Sequence, residues 1–413
     1  MRASGYLHCK NLWAVPFAKC KSILRSAFSM KKLIGIFLLL FLVASVPAHA
    51  QKRVLAKKPA PQPKPITPDT RDTLEMVFVL DTTGSMGGLI EGAKQRIWGI
   101  INEVMQKPSK PRVRVGLVAY RDNGDDYVTR ILPITEDLDK AYTTLMDYQA
   151  GGGGDTPENV RKALADGVRN AGWAPAKQGL AQIVFLVGDA PPQNYEQEPD
   201  VLVTAAEAVR KNMIVNTIQC GTLPETTQIW QTIARRGEGR YFAIAQDGGV
   251  QAISTPFDTR LAELAARLGR TYVTYGDKKK REKNVAVQAA AESRITTDAA
   301  MGAQADRALN KAVNSFQYDG DLVQAVENDT VKLDELKKED LPEDLQKLSL
   351  ADRKKEIDKR IAERKAIRAQ ILTLSKQRDG FIAAERKKKG NTNGFDTAVA
   401  QALKEQLLKK GIK

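Results

Sequence analysis

The stretch Leu74-Glu75-Met76-Val77-Phe78-Val79-Leu80-Asp81-Thr82-Thr83-Gly84-Ser85-Met86 decides the fold of this chain. Its almost continuous apolar run up to Leu80 predicts a parallel strand that is buried on both faces. Asp81, Thr83 and Ser85 follow at the carboxyl end of that strand, where an open α/β sheet binds its ligands. A carboxylate and two spaced hydroxyls at this position predict a cation site.

Two later segments offer further oxygen ligands. Residues 151–158 read GGGGDTPE and place the hydroxyl of Thr156 on a glycine-rich loop. Residues 181–189 read AQIVFLVGD and place the carboxylate of Asp189 after a second apolar strand. Either side chain alone is better explained as a helix cap or a turn residue. Together with the first segment they favour a metal site, because Mg²⁺ is held by one or two carboxylates with neutral oxygens around them.

The order and type of these residues resemble a known motif. Asp81, Thr83, Ser85, Thr156 and Asp189 match, position by position, the metal-ion-dependent adhesion site of von Willebrand factor type A (vWA) domains. Thr83 is the one departure, since the family more often has Ser, but its hydroxyl is retained. The resemblance, which is to the bacterial secreted type, implies a bound Mg²⁺, with Mn²⁺ or Ca²⁺ as alternatives. It also implies a partner protein whose acidic residue completes the coordination of the ion.

The alternation of apolar strands with amphipathic helices over residues 74–270 predicts an α/β domain. The resemblance implies a Rossmann-like, mostly parallel central sheet with one antiparallel edge strand and helices on both faces, closed by a helix near residues 256–269. Residues 271–413 predict an all-helical region. Arg364 and Arg378 interrupt its apolar stripe, which favours a helical hairpin that packs on itself or on the sheet domain over a long coiled coil.

The amino terminus predicts export. Residues 30–50 combine a basic start, a short apolar core and an Ala-x-Ala site, as in a signal peptide cleaved after Ala50. The apolar core is shorter than the ~20 residues needed to span a bilayer, so we expect a periplasmic or secreted protein rather than a stable transmembrane one. Residues 51–73, rich in Pro and Lys, predict an extended linker.

Removal of residues 1–50 leaves a chain without histidine and with one cysteine, Cys220. Histidine-dependent hydrolases and His-ligated zinc sites are therefore excluded, and Cys220 is expected to be buried and inert. Residues 74–270 carry 21 basic and 24 acidic side chains, whereas residues 271–413 carry 30 and 23. The basic region favours contact with an anionic envelope surface, and export argues against nucleic acid.

Two loops are candidates for partner contact. Asp122, Asp125 and Asp126 follow a predicted strand in the segment RDNGDD, and Gly153 and Asp155 lie in the glycine-rich loop. The first loop could select partners or hold a second cation, although a solvated Asn-Gly turn with surface carboxylates is the favoured interpretation.

Three functions are compatible with the sequence. The preferred one is a non-enzymatic binding or adhesion protein that captures a protein ligand through the metal. An envelope scaffold that binds through its helical tail is an alternative. A metal-dependent phosphoester hydrolase, with Asp122 or Asp155 as the base, is less favoured because three of the five metal ligands are hydroxyls and no second metal is evident.

Overall fold

The computed structural model describes residues 71–154, 156–316, 318, 320–389 and 394–412. The predicted signal peptide, the linker up to residue 70 and Asp155 lie outside the described residues. Predictions for those segments therefore stay predictions.

Six strands form one sheet in the order β3-β2-β1-β4-β5-β6. The strands are β1 Thr73–Asp81, β2 Arg112–Tyr120, β3 Thr129–Thr135, β4 Leu180–Gly188, β5 Met213–Cys220 and β6 Glu238–Ile244. The β2–β3 pair is antiparallel and the other four pairs are parallel. The predicted Rossmann-like sheet with one antiparallel edge strand is confirmed.

The two central strands are buried along their whole length. All nine residues of β1 and all nine of β4 are buried, as the apolar runs predicted. Leu80 of β1 lies level with Val187 of β4. Asp81 therefore lies beside Gly188, and the two strands end together at the same edge of the sheet.

Helices cover both faces of the sheet. The first six are α1 Gly87–Met105, α2 Leu138–Asp147, α3 Val160–Arg169, α4 Val201–Arg210, α5 Pro224–Arg236 and α6 Asp258–Gly269. Helices α1 and α2 pack on the face that carries Met76 and Phe78. Helices α3, α4 and α5 pack on the face that carries Val77 and Val79. The alternation of side chains along β1 thus supplies both halves of the core.

The remainder of the described chain is helical, as predicted. Its helices are α7 Lys278–Asp298, α8 Met301–Val313, α9 Leu322–Glu327, α10 Glu343–Gln346, α11 Leu350–Lys389 and α12 Phe395–Lys409. Helix α11 is a single 40-residue helix that packs against α6, α8 and α9. Within the described part of the chain, every helix is too short or too polar to cross a bilayer.

Helix α12, and not α6, completes the helical layer on the sheet face that carries Phe78. We expected the helix near residues 256–269 to close the domain, but α6 packs with α8 and α11 in a separate apolar cluster. Helix α12 contacts α1, β4, β5 and β6. Its Phe395 ring lies 5.9 Å from that of Phe78, and its Gln406 exchanges two buried hydrogen bonds with Asn216 of β5. The carboxyl end of the helical region is therefore part of the sheet's core.

The arginines that interrupt the apolar stripe of α11 are buried and paired. Arg364 is fully buried, lies 2.5 Å from the carboxylate of Asp321 and donates to Thr271. Arg378 lies 2.6 Å from both Asp258 and Asp306. These pairs join α11 to α6, α8 and the start of α9, so α11 packs through charges as well as through its apolar residues.

Replacement of Phe395 by Ala should lower the free energy of unfolding by about 3 to 5 kcal/mol, because it removes a fully buried ring from the sheet face. Leu408→Ala is the matched control on the same helix, since Leu408 is 59% exposed, and should cost less than about 1 kcal/mol. Urea unfolding measures both. Equal losses of unfolding free energy in the two variants would contradict the packing of α12 on the sheet.

Replacement of Arg364 by Ala should destabilise the protein by about 3 to 5 kcal/mol, because it leaves the carboxylate of Asp321 buried without its counter-charge. Lys365→Ala removes the same charge from the next residue, which is exposed, and should change stability by about 0.5 kcal/mol or less. Thermal or urea unfolding of the two variants compares these costs. A mild effect of Arg364→Ala would mean that water reaches Asp321.

Candidate metal centre

The predicted site is built around Asp81, the last residue of β1. This side chain is fully buried. The backbone N–H and the hydroxyl of Thr83 both donate to Asp81 Oδ1, at 2.8 and 2.7 Å. Asp81 Oδ2 has no hydrogen-bond partner among the described residues. A buried carboxylate oxygen without a partner is costly, so this atom requires a cation, a proton or water.

A cavity of about 410 Å³ opens at this edge of the sheet. Its walls include four of the five predicted ligands, namely Thr83, Ser85, Thr156 and Asp189. Glu158, Cys220 and Gln246 are further polar or sulfur-bearing residues of the wall. Three hydroxyls and a carboxylate thus converge on one space from three segments that are distant in the sequence.

The electrostatics at Asp81 favour a cation. Burial raises the pKa of Asp81 to about 7, against the effect of the two hydrogen bonds from Thr83, and the charge of Asp189 raises it further. A divalent ion between the two carboxylates would restore the stability that burial removes from the ionised form. The residues present therefore fit a magnesium ion, which Asp81, Thr83, Ser85, Thr156 and Asp189 would hold.

Asp189 follows β4, and both its backbone carbonyl and its carboxylate accept hydrogen bonds. Its backbone carbonyl accepts a hydrogen bond from Thr226 at 2.8 Å. Its Oδ2 accepts one from Gln246, which follows β6, at 2.7 Å. One oxygen of its carboxylate is thus oriented by a neighbour, and the residue lies in the cavity wall.

The glycine-rich loop is fastened to β1 through its backbone. Gly151 N–H donates to the carbonyl of Thr82 at 3.1 Å, and Gly84 N–H donates to the carbonyl of Gly152 at 3.3 Å. Gly152 and Gly153 have φ of 74° and 73°, a left-handed conformation that favours glycine. These contacts bring the Thr156 segment to the strand end that carries Asp81.

The acidic turn after β2 is only partly solvated. Asp122 is 6% exposed and accepts a hydrogen bond from the Tyr195 hydroxyl at 2.8 Å. Asp125 accepts from Gly153 N–H at 3.1 Å, so it holds the glycine loop in place. Asp126 is exposed and pairs with Arg121. The interpretation as surface carboxylates is therefore wrong for Asp122, which binds Tyr195 of the β4–α4 connection, whereas Asp125 supports the glycine loop.

Sequence reasoning missed Glu158. It is 4% exposed, lines the cavity, and its Oε2 has no hydrogen-bond partner among the described residues. Burial raises the pKa of Glu158 to about 8, and the charges of Asp81 and Asp122 add to the shift. Its place two residues after Thr156 was visible in the sequence, but the five-residue motif does not include it.

Cys220 lies in the cavity wall as a buried free thiol. Burial raises its pKa well above the ordinary value, and nearby carboxylates raise it further. The thiol is therefore kept protonated, which agrees with the expected inert cysteine. Among the described residues no three His, Cys, Asp or Glu side chains are grouped to hold an ion, so the candidate centre depends on two carboxylates and on hydroxyls.

Comparison with known proteins identifies the sheet domain. The family model described as von Willebrand factor A domain matches residues 75–256. These residues form a vWA domain. The match begins within β1 and ends before α6, so it includes all five predicted metal ligands.

Several curated proteins share part of this vWA domain. The von Willebrand factor A domain-containing protein 7 of Rattus norvegicus is 38% identical over 96 residues, which is 23% of this chain and 10% of that protein. The human protein of the same name is 36% identical over 96 residues, which is 23% of this chain and 10% of that protein. A putative ariadne-like RING finger protein of Acanthamoeba polyphaga mimivirus is 27% identical over 140 residues, 32% of this chain and 12% of that protein. The chain thus spans about a tenth of the length of these relatives.

Among solved structures, the crystal structure of the SpRpn10 VWA domain is similar, with 16% identity and a TM-score of 0.31. The similarity covers 42% of this chain and 88% of that domain.

Gly188→Ala should lower stability, because the added methyl group would press against Tyr120 and Asp81 at the end of β1. A Cβ at Gly188 would lie 2.4 Å from the Tyr120 hydroxyl and 3.1 Å from Asp81 Oδ2, so we expect a loss of about 1 to 3 kcal/mol of stability. Gly154→Ala is the control, because its Cβ would meet nothing within 4 Å and should change stability by less than about 1 kcal/mol. Chemical unfolding compares the two variants, and a neutral Gly188→Ala would contradict the close approach of β4 to Asp81.

Proposed function

We propose that this protein is an exported, non-enzymatic binding protein whose vWA domain captures a protein ligand through one divalent metal ion. The observation that carries the proposal is the unpartnered Oδ2 of fully buried Asp81 beside a cavity walled by Thr83, Ser85, Thr156 and Asp189. Two carboxylates and three hydroxyls suit Mg²⁺, with Mn²⁺ or Ca²⁺ as alternatives.

The chemistry of such a site indicates which kind of group the partner presents. Three of the five ligands are neutral hydroxyls, so the bound ion keeps positive charge that can attract an anion. The vWA resemblance implies that this anion is an acidic residue of the partner protein. The loops that carry Asp122, Asp125, Asp126, Gly153 and Asp155 would contact the partner beyond the metal. The chain's own role at this edge is to hold the ion and to shape the cavity.

The helical region supplies a second surface. Residues 271–413 are basic, and after export through the predicted signal peptide they would favour an anionic envelope surface. A scaffold that binds mainly through this region is the alternative. Deletion of residues 271–413 would not test it, because α12 lies in the core of the sheet domain. Charge reversal at exposed lysines of α11 preserves that core and separates the two functions.

Titration of Mg²⁺ into the metal-stripped full chain should show saturable one-to-one binding by calorimetry. At a free Mg²⁺ concentration of 100 Kd, the ion should raise the free energy of unfolding by about 2.7 kcal/mol. Asp189→Asn should abolish both effects, because it removes one of the two charged ligands.

Asp200→Asn is the control for that titration. Asp200 lies in the same β4–α4 connection and caps α4 through an oxygen that Asn retains, so Mg²⁺ binding should be unchanged. A folded protein that binds no Mg²⁺, or an Asp189→Asn variant that binds as the parent does, would refute the metal-dependent function.

A further inference from the structure

The cavity extends past the predicted metal ligands toward the ends of β5 and β6. Cys220 ends β5, Thr222 and Leu223 come from the connection after it, and Gln246 follows β6. In the strand order β1-β4-β5-β6, these four residues lie on the side of β4 that faces away from β1. We call them the far side of the cavity.

The far side carries no charged side chain. The amide of Gln246 is already used, since it donates to Asp189 Oδ2 at 2.7 Å. The thiol of Cys220 is 1% exposed, and a buried free cysteine packs as a small apolar residue. Leu223 is the largest apolar side chain in the cavity wall, and it is 38% exposed. The far side is therefore neutral, and Leu223 supplies its apolar surface.

Leu223 stands at a position where helix stability favours other residues. It is the N-cap of α5, and its side chain makes no capping hydrogen bond. Ser, Thr, Asp and Asn are preferred at N-caps because their side chains accept hydrogen bonds from the free N–H groups of the first turn. Natural proteins break such local rules mainly at functional sites. An exposed Leu at this N-cap is thus better explained by the cavity than by the helix.

The backbone holds Leu223 close to a predicted metal ligand. The Leu223 carbonyl accepts hydrogen bonds from Thr227 N–H and from Gln219 Nε2, both at 3.0 Å. Thr226, in the first turn of α5, donates to the carbonyl of Asp189 at 2.8 Å. The start of α5 therefore ties Leu223 to the segment that supplies Asp189.

The cavity is also larger than a metal ion requires. Its volume is about 410 Å³, whereas one water molecule occupies about 30 Å³ in the liquid. An ion with the few waters that complete its coordination would fill only part of this space. The remainder has room for a short aliphatic group of a ligand.

We infer that the far side is a subsite for an aliphatic group next to the carboxylate that the metal binds, and that Leu223 determines this preference. This inference rests on the proposed metal-dependent function. A charged neighbour of the carboxylate would lose water against Leu223 without gaining a partner, which is unfavourable. The partner surface that fits is therefore an acidic side chain beside a short aliphatic one.

Acetate and butyrate test this preference, because they carry the same carboxylate and differ only in the length of the aliphatic chain. We expect the Mg²⁺-loaded full chain to bind butyrate at least about fivefold more tightly than acetate in an NMR titration, since burial of one methylene favours binding about fourfold. Equal affinities, or a preference for acetate, would overturn the inference without any substitution.

Leu223→Asn removes the apolar surface and supplies a preferred N-cap residue. It should bring the affinity for butyrate to within about twofold of that for acetate, without lowering the melting temperature. Leu223→Met keeps an apolar side chain and should retain the preference for butyrate. Leu408→Asn makes the same replacement at an exposed residue of α12 and should behave as the parent chain does.

The outcomes separate this inference from the proposed function. A Leu223→Asn variant that binds Mg²⁺ and still prefers butyrate as the parent does would refute the role of Leu223 and leave the metal site standing. Absence of Mg²⁺ binding by the parent chain would refute both. Butyrate binding that persists in chelator would show that the carboxylate does not need the metal, and would likewise refute the inference.

Discussion

The carboxylate of Asp81, fully buried at the end of a central strand, is the constraint on which the site depends. An ionised group in this position costs several kcal/mol unless opposite charge and hydrogen bonds compensate. Thr83 compensates one oxygen with two hydrogen bonds, and the other oxygen has no partner among the described residues. The parallel register that places Asp81 beside Gly188 also brings Asp189 close enough for its charge to raise the pKa of Asp81.

The hydroxyls of Thr83, Ser85 and Thr156 meet at one cavity because the loops are attached to the strand ends through backbone groups. The glycine loop pairs with Thr82 and Gly84, and Asp125 holds Gly153 through its N–H. Such bonds do not require a metal to form. The cavity is therefore largely preorganised, and the proposed ion would not have to order three separate segments.

The sheet could be predicted from local signals, and so could the meeting of Thr83, Ser85 and Asp189 at one edge, because each follows an apolar strand in the sequence. A buried parallel strand reads as a continuous apolar run, and a ligand at its end is the next residue in the sequence. The partners of Arg364 could not be predicted, since Asp321 lies 43 residues earlier and pairs with it only after α9 and α11 pack. Glu158 was overlooked for a similar reason: its burial depends on the connection after Asp189, which the sequence places more than 30 residues away.

The placement of α12 shows why the helical region cannot be treated as a mere appendage. The N–H of Phe395 donates to the carbonyl of Gly248 at 2.9 Å, and Gln246, in the same loop, orients Asp189. A Cβ on Gly394 would lie 2.6 Å from the carbonyl oxygen of Gly249, so the chain enters α12 through a close backbone contact with this loop. The loop after β6 thus contacts both Asp189 and the start of the helix that packs on the sheet. Helix α12 therefore helps to hold the loop that orients Asp189.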